Sequence, residues 1–176
     1  MGMESYNLLF LHENSRIVYE QQEYGKVWKV SGTSDLPVSQ IRSLLTETCR
    51  QITEDKWIFD ECIDILIYHK DGWFQGVELR GCLAYFDKGI EHCYACYQRW
   101  SETIPLQIYI MNQPVQVADC GDFHDLVSEA YGEKIEWLRR AYGDIEWKVS
   151  SGEFYREIRR RQSLWYRLRR YFHGEK

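Results

Sequence analysis

The sequence predicts an α+β fold: an antiparallel or mixed sheet with helices packed on one face, and a helical C-terminal third. Three observations carry this reading. Short runs rich in Ile, Val, Tyr and Trp recur before residue 112, separated by turn residues of which Asp71-Gly72 is the strongest pair. One stripe at helical spacing, Val38, Ile41, Leu45, Cys49 and Ile52, interrupts those runs. Beyond residue 119 the apolar spacing becomes helical and stays so. The 176 residues suit one domain, 1–176, whose last segment, 153–176, is a basic, aromatic helix.

Each element follows from local chemistry. Residues 7–12 and 16–21 read as strands around the polar turn Glu13-Asn14-Ser15. Residues 26–30 alternate as a third strand after Tyr24-Gly25, so the opening is expected to be a small antiparallel meander. Pro37 suits a first helical turn, where its missing N–H costs nothing, and the stripe from Val38 predicts about 15 helical residues. Residues 62–69 are Ile-rich like a buried strand, Asp71-Gly72 turns the chain, and residues 73–79 return as its partner. Arg80-Gly81 predicts a further turn into a strand over 82–86. A short helix is expected over 91–102 and a strand over 106–111.

In the last third, Phe123, Leu126, Val127, Ala130 and Tyr131 share a helix face that Asp119 or Asp122 can cap. Gly132 is expected to interrupt or end that helix, and Ile135 and Leu138 resume its period. The opening strands, helix and strand share the element order of ribonuclease-H-like and actin-like folds. The Asp71-Gly72 hairpin stands where those folds require a helix.

Composition narrows the function. No apolar run approaches the roughly 20 residues of a membrane helix. The acidic start, Met3-Glu4, lacks the positive charge of a secretory signal. The six cysteines are therefore expected to be reduced thiols of a cytoplasmic protein. No glycine-rich phosphate loop is present.

Charge is unevenly placed. The chain is −5 overall, but residues 153–176 hold eight basic against three acidic side chains, leaving +5 there and −10 elsewhere. Phe154, Ile158, Trp165, Leu168 and Phe172 fall on one side of that predicted helix, and arginines fill much of the rest. Guanidinium groups fork onto carboxylates and phosphates, and Trp and Arg dominate interface energetics. Arg156, Arg159, Arg160, Trp165, Arg167 and Arg170 are thus the candidate partner-binding residues.

The favoured function is a non-enzymatic protein-binding module of inhibitor, immunity, chaperone or adaptor type, acting on another protein without cofactor. Nucleic acid is the alternative partner for the same arginines, disfavoured by an acidic body that repels a polyanion. A second alternative is thiol-redox chemistry at His92-Cys93-Tyr94-Ala95-Cys96, with Cys93 attacking and Cys96 resolving. That chemistry wants the first cysteine at a helix start, where the dipole lowers its pKa. A zinc site would need Cys82, Cys120 or His124 to converge on that pair, and with no second ligand pair in the sequence no metal is expected. His124 with Asp122 and Asp125, near Cys120, reads as polar residues around a helix start, because working triads assemble from distant segments.

Overall fold

The structure is a computed structural model that describes residues 5–59, 63–83 and 86–142, with residues 141–142 described by backbone alone. The basic segment 153–176 lies outside the described residues. The elements run β1 (Ser5–His12), β2 (Ser15–Gln22), β3 (Gly25–Gly32), α1 (Val38–Thr46), β4 (Arg50–Gln51), β5 (Lys56–Phe59), β6 (Ile63–Lys70), β7 (Trp73–Cys82), α2 (Phe86–Ser101), β8 (Leu106–Ile110), β9 (Gln113–Val115) and α3 (Cys120–Tyr142). Seven strands form one sheet in the order β4-β5-β6-β7-β1-β8-β9, and β2 and β3 form a separate two-stranded sheet. Every ladder is antiparallel. The α+β class expected from the sequence is what the chain adopts. Among the described residues, no helix is long and apolar enough to cross a membrane.

The two faces of the large sheet carry different covers. Alternation along β1 sends Tyr6, Leu8 and Phe10 into the main core, together with Ile63, Ile65 and Ile67 of β6 and Val77 and Leu79 of β7. All three helices pack on this face: Ile41 and Leu45 from α1, Ile90 and Cys93 from α2, and Phe123, Val127, Tyr131 and Leu138 from α3. The opposite face carries a second, smaller cluster of Leu9, Leu11 and Tyr109, covered by Ile17, Trp28 and Val30 of the β2–β3 hairpin. Burial on both faces explains why residues 8–11 are apolar without a break, as a central strand requires.

Several local expectations hold. Asp71 (φ 53°) and Gly72 (φ 84°) turn β6 into β7 with both central residues left-handed, the geometry that two-residue hairpins favour. Asp119 Oδ1 accepts the Asp122 N–H at 2.9 Å, and Asp122 Oδ2 accepts the Ala118 N–H at 2.9 Å, so both acids serve the start of α3.

Others are corrected. The opening is not a three-stranded meander: β1 ladders with β7 and β8, while β2 and β3 pair with each other in a separate sheet. The turn at Glu13-Asn14 lifts the chain out of the large sheet and onto its second face. The helix from Val38 stops at Thr46, where Thr48 and Cys49 N–H groups both bond the Leu45 carbonyl. Its last two stripe residues therefore leave the helix; Cys49 packs at the core margin and Ile52 is exposed. Arg80-Gly81 makes no turn, and β7 runs through it to Cys82. Gly81 faces Tyr6 across the ladder, and a Cβ there would overlap the Tyr6 ring. The glycine is thus a close approach within a strand. The strand expected over 82–86 is not what its described residues form, since Cys82 ends β7 and Phe86 belongs to α2. Gly132 neither ends nor breaks α3, which continues to Tyr142. Strands β5 and β9 escaped prediction because they are short, and Pro114 sits in β9 where an edge needs no donor.

Candidate functional site

The second face of the large sheet is built around a carboxylate. Glu78 is fully buried, on the same face of β1, β6 and β7 as Asn7, Tyr68 and Arg80. Its Oε1 accepts from Asn7 Nδ2 at 2.7 Å and from Arg80 Nε at 2.9 Å. Its Oε2 accepts from the Tyr68 hydroxyl at 2.6 Å and from an Arg80 terminal nitrogen at 3.1 Å. Withdrawing a carboxylate from water costs several kcal/mol, and four charge-assisted hydrogen bonds are what offset that cost here. Burial, then the bond to Glu78, pushes the Tyr68 hydroxyl above the ordinary tyrosine range, so it stays a donor. The hydrogen bond to Glu78 raises the Arg80 guanidinium, which stays charged.

This hub seats the hairpin. Tyr68 meets Trp28 edge-on at 6.1 Å between ring centroids, and Gln75 Nε2 donates to the Gly32 carbonyl at 2.7 Å. The hairpin's proximal half is thereby anchored. Its distal half projects: Tyr19 is 55%, Val27 46% and Tyr24 96% exposed. An unbroken register from Ser15↔Gly32 to Gln22↔Gly25, with Lys29 and Glu20 ion-paired across it, keeps the projecting part a stiff ribbon.

Beside the hub lies a cavity of about 130 Å³ lined by Asn7, Trp28, Glu78, Tyr131 and Lys134 among others. Beyond Leu8↔Ile110, β1 has no ladder partner on the β8 side among the described residues. Tyr131 of α3 takes that place, its hydroxyl accepting the Asn7 N–H at 3.1 Å and donating to the Asn7 carbonyl at 2.8 Å. Lys134 lies over the Tyr131 ring at 5.3 Å, and Asn7 Oδ1 is buried with no hydrogen-bond partner among the described residues.

The candidate residues from the sequence fare differently. Arg156, Arg159, Arg160, Trp165, Arg167 and Arg170 lie outside the described residues. Cys93 and Cys96 are both buried on the core face of α2, Cys93 two turns beyond the start at Phe86. Cys93 Sγ lies 4.0 Å from the Tyr6 hydroxyl, and burial pushes the Cys96 thiol up to about 12. Cys93 thus lacks the helix-start position that favours a dithiol nucleophile, and burial raises rather than lowers the thiol of Cys96. His124 does not meet Asp122, which is engaged at the helix start. Instead His124 Nε2 faces Asp87 Oδ1 at 3.2 Å and Nδ1 faces Ser128 Oγ at 3.3 Å, beside a cavity of about 330 Å³.

A serine, histidine and aspartate in line invite comparison with a hydrolase triad. The Asp87 side chain is 79% exposed, so it does not hold the imidazole in a dry site. Ser128 lies one turn from His124 inside α3, where backbone N–H groups are spent on the helix and cannot form an oxyanion hole. The line is a surface polar network. Among the described residues, no three His, Cys, Asp or Glu side chains converge as a metal site.

Glu78, Tyr68 and Asn7 were not singled out by the sequence. The available signal was an acid flanked by the apolar Val77 and Leu79 within a strand. Comparison with protein-family models, with curated proteins and with solved structures finds no match to this chain.

Proposed function

We propose that this protein is a non-enzymatic protein-binding module of inhibitor, immunity, chaperone or adaptor type, and that the β2–β3 hairpin presents its contact surface. The observation that carries the reading is the hairpin itself, locked at its base and bare at its tip. Tyr19, Val27 and Tyr24 expose apolar surface on an element whose backbone is already ordered by its ladder. A preordered, ring-bearing surface loses little entropy on binding, which leaves more of the contact energy as affinity. A cytoplasmic setting accords with the thiols, since none of the five described cysteines forms a disulfide. The arginine and tryptophan side chains of 153–176 belong to the same proposal as a second contact.

Affinity capture from the native cell tests this. Full-length bait is compared with a Tyr19→Ser/Tyr24→Ser bait and with a bait lacking 153–176. We expect a protein partner held by the full chain and depleted on the hairpin variant. Capture of no protein, or equal capture by the hairpin variant, refutes the assignment of the hairpin.

A further inference from the structure

We infer that the groove at the base of the hairpin takes an extended, acidic segment of the protein partner. This rests on the binding-module reading and adds the partner's chemistry. The groove, about 720 Å³, runs between the β1–β2 turn, the base of β3 and the end of β6. Arg16, Lys29, Lys70 and His69 line it, against a single acid, Glu13. In a chain of net charge −5 this is a local inversion of sign. Lys29 is satisfied by Glu20 and His69 by Asp55, but Arg16 and Lys70 have no ion pair among the described residues.

Two uncommitted cations on the groove wall suit carboxylates spaced along an extended chain. Nucleic acid fits less well, because a continuous polyphosphate must also lie against the −10 carried by residues 1–152. Carboxylates on a peptide can be confined to the groove.

The test uses a fluorescein-labelled hexaglutamate peptide and the full chain, by fluorescence anisotropy at low and moderate salt. The wild type should bind at low salt and weaken as salt rises. Arg16→Gln/Lys70→Gln should lower affinity roughly tenfold, since each exposed ion pair accounts for about a three- to fivefold effect. Lys26→Gln, on the exposed part of the hairpin away from the groove, should bind as wild type. Absence of binding at low salt overturns the inference, as does equal affinity for the double variant or an equal loss on Lys26→Gln. Tighter binding of a single-stranded oligonucleotide, weakened by the same pair, overturns it in favour of nucleic acid. The two readings fail separately. A partner captured equally well by Arg16→Gln/Lys70→Gln, but not by Tyr19→Ser/Tyr24→Ser, removes the groove and leaves the hairpin.

Discussion

Truncating Glu78 to alanine is the sharpest perturbation of this fold, because one side chain organises three strands. The change removes the acceptor for Asn7 Nδ2 at 2.7 Å, the Tyr68 hydroxyl at 2.6 Å and Arg80 at 2.9 and 3.1 Å. Breaking a buried charged pair from one side costs about 3–5 kcal/mol. The Arg80 side chain is half exposed and can turn to water, so its share is discounted to about 1 kcal/mol or less. Tyr68 is held in place by packing and Asn7 by its backbone bonds to Tyr131, and each loses a charge-assisted bond of about 1.5–3 kcal/mol, part of which water recovers. The expected loss is therefore near the lower end, about 3 kcal/mol.

Urea unfolding at 25 °C measures it, with the slope checked for constancy. Tyr68→Phe forms the second arm of a double-mutant cycle, and we expect a coupling of at least about 1 kcal/mol with Glu78→Ala. Amide exchange across the hairpin provides a readout beyond global stability: loss of the hub should speed exchange at the base of β2 and β3 before it does in the core. A cost below about 1 kcal/mol, or a Tyr68→Phe effect unchanged when Glu78 is absent, refutes the claim that the carboxylate holds the hairpin's seat.

Two further outcomes follow from close packing and from burial. Gly81→Ala should destabilise by about 3 kcal/mol in the same unfolding assay, because the new methyl overlaps the fully buried ring of Tyr6; a neutral result would mean that the β1–β7 spacing is loose. The Cys96 thiol, pushed from 9.0 up to about 12, should alkylate with iodoacetamide at pH 8 roughly a thousandfold more slowly in the folded chain than in urea; peptide mapping that finds equal rates would reopen the dithiol chemistry of Cys93 and Cys96.

Much of the fold was legible from local pattern. Where one face is buried and one residue class dominates, the period decides the element. Ile63, Ile65 and Ile67 alternate into the core, and Phe123, Val127 and Tyr131 recur at one helical turn. Asp71-Gly72 was legible because few residue pairs accept two left-handed conformations in succession. The errors came from residues that answer to distant neighbours. The stripe through Cys49 and Ile52 was cut short by the pairing of β4 with β5. Gly81 looked like a turn because the reason for it, the ring of Tyr6, lies 75 positions earlier in the chain.

By itself the sequence determined the α+β class, most of the strands and helices, and the polarity of the charge split between residues 153–176 and the rest. Those properties depend on composition and on neighbours within one or two turns. Only the tertiary structure decided that β1 is central, that β2 and β3 leave the sheet to cover its second face, and that Asn7, Tyr68, Glu78 and Arg80 meet. The physical reason is that strand pairing and burial of a charge are long-range bargains. Beside Arg80 on its own strand, Glu78 at zero exposure needs the donors that β1 and β6 bring from 71 and 10 positions away, and no local pattern records that arrangement.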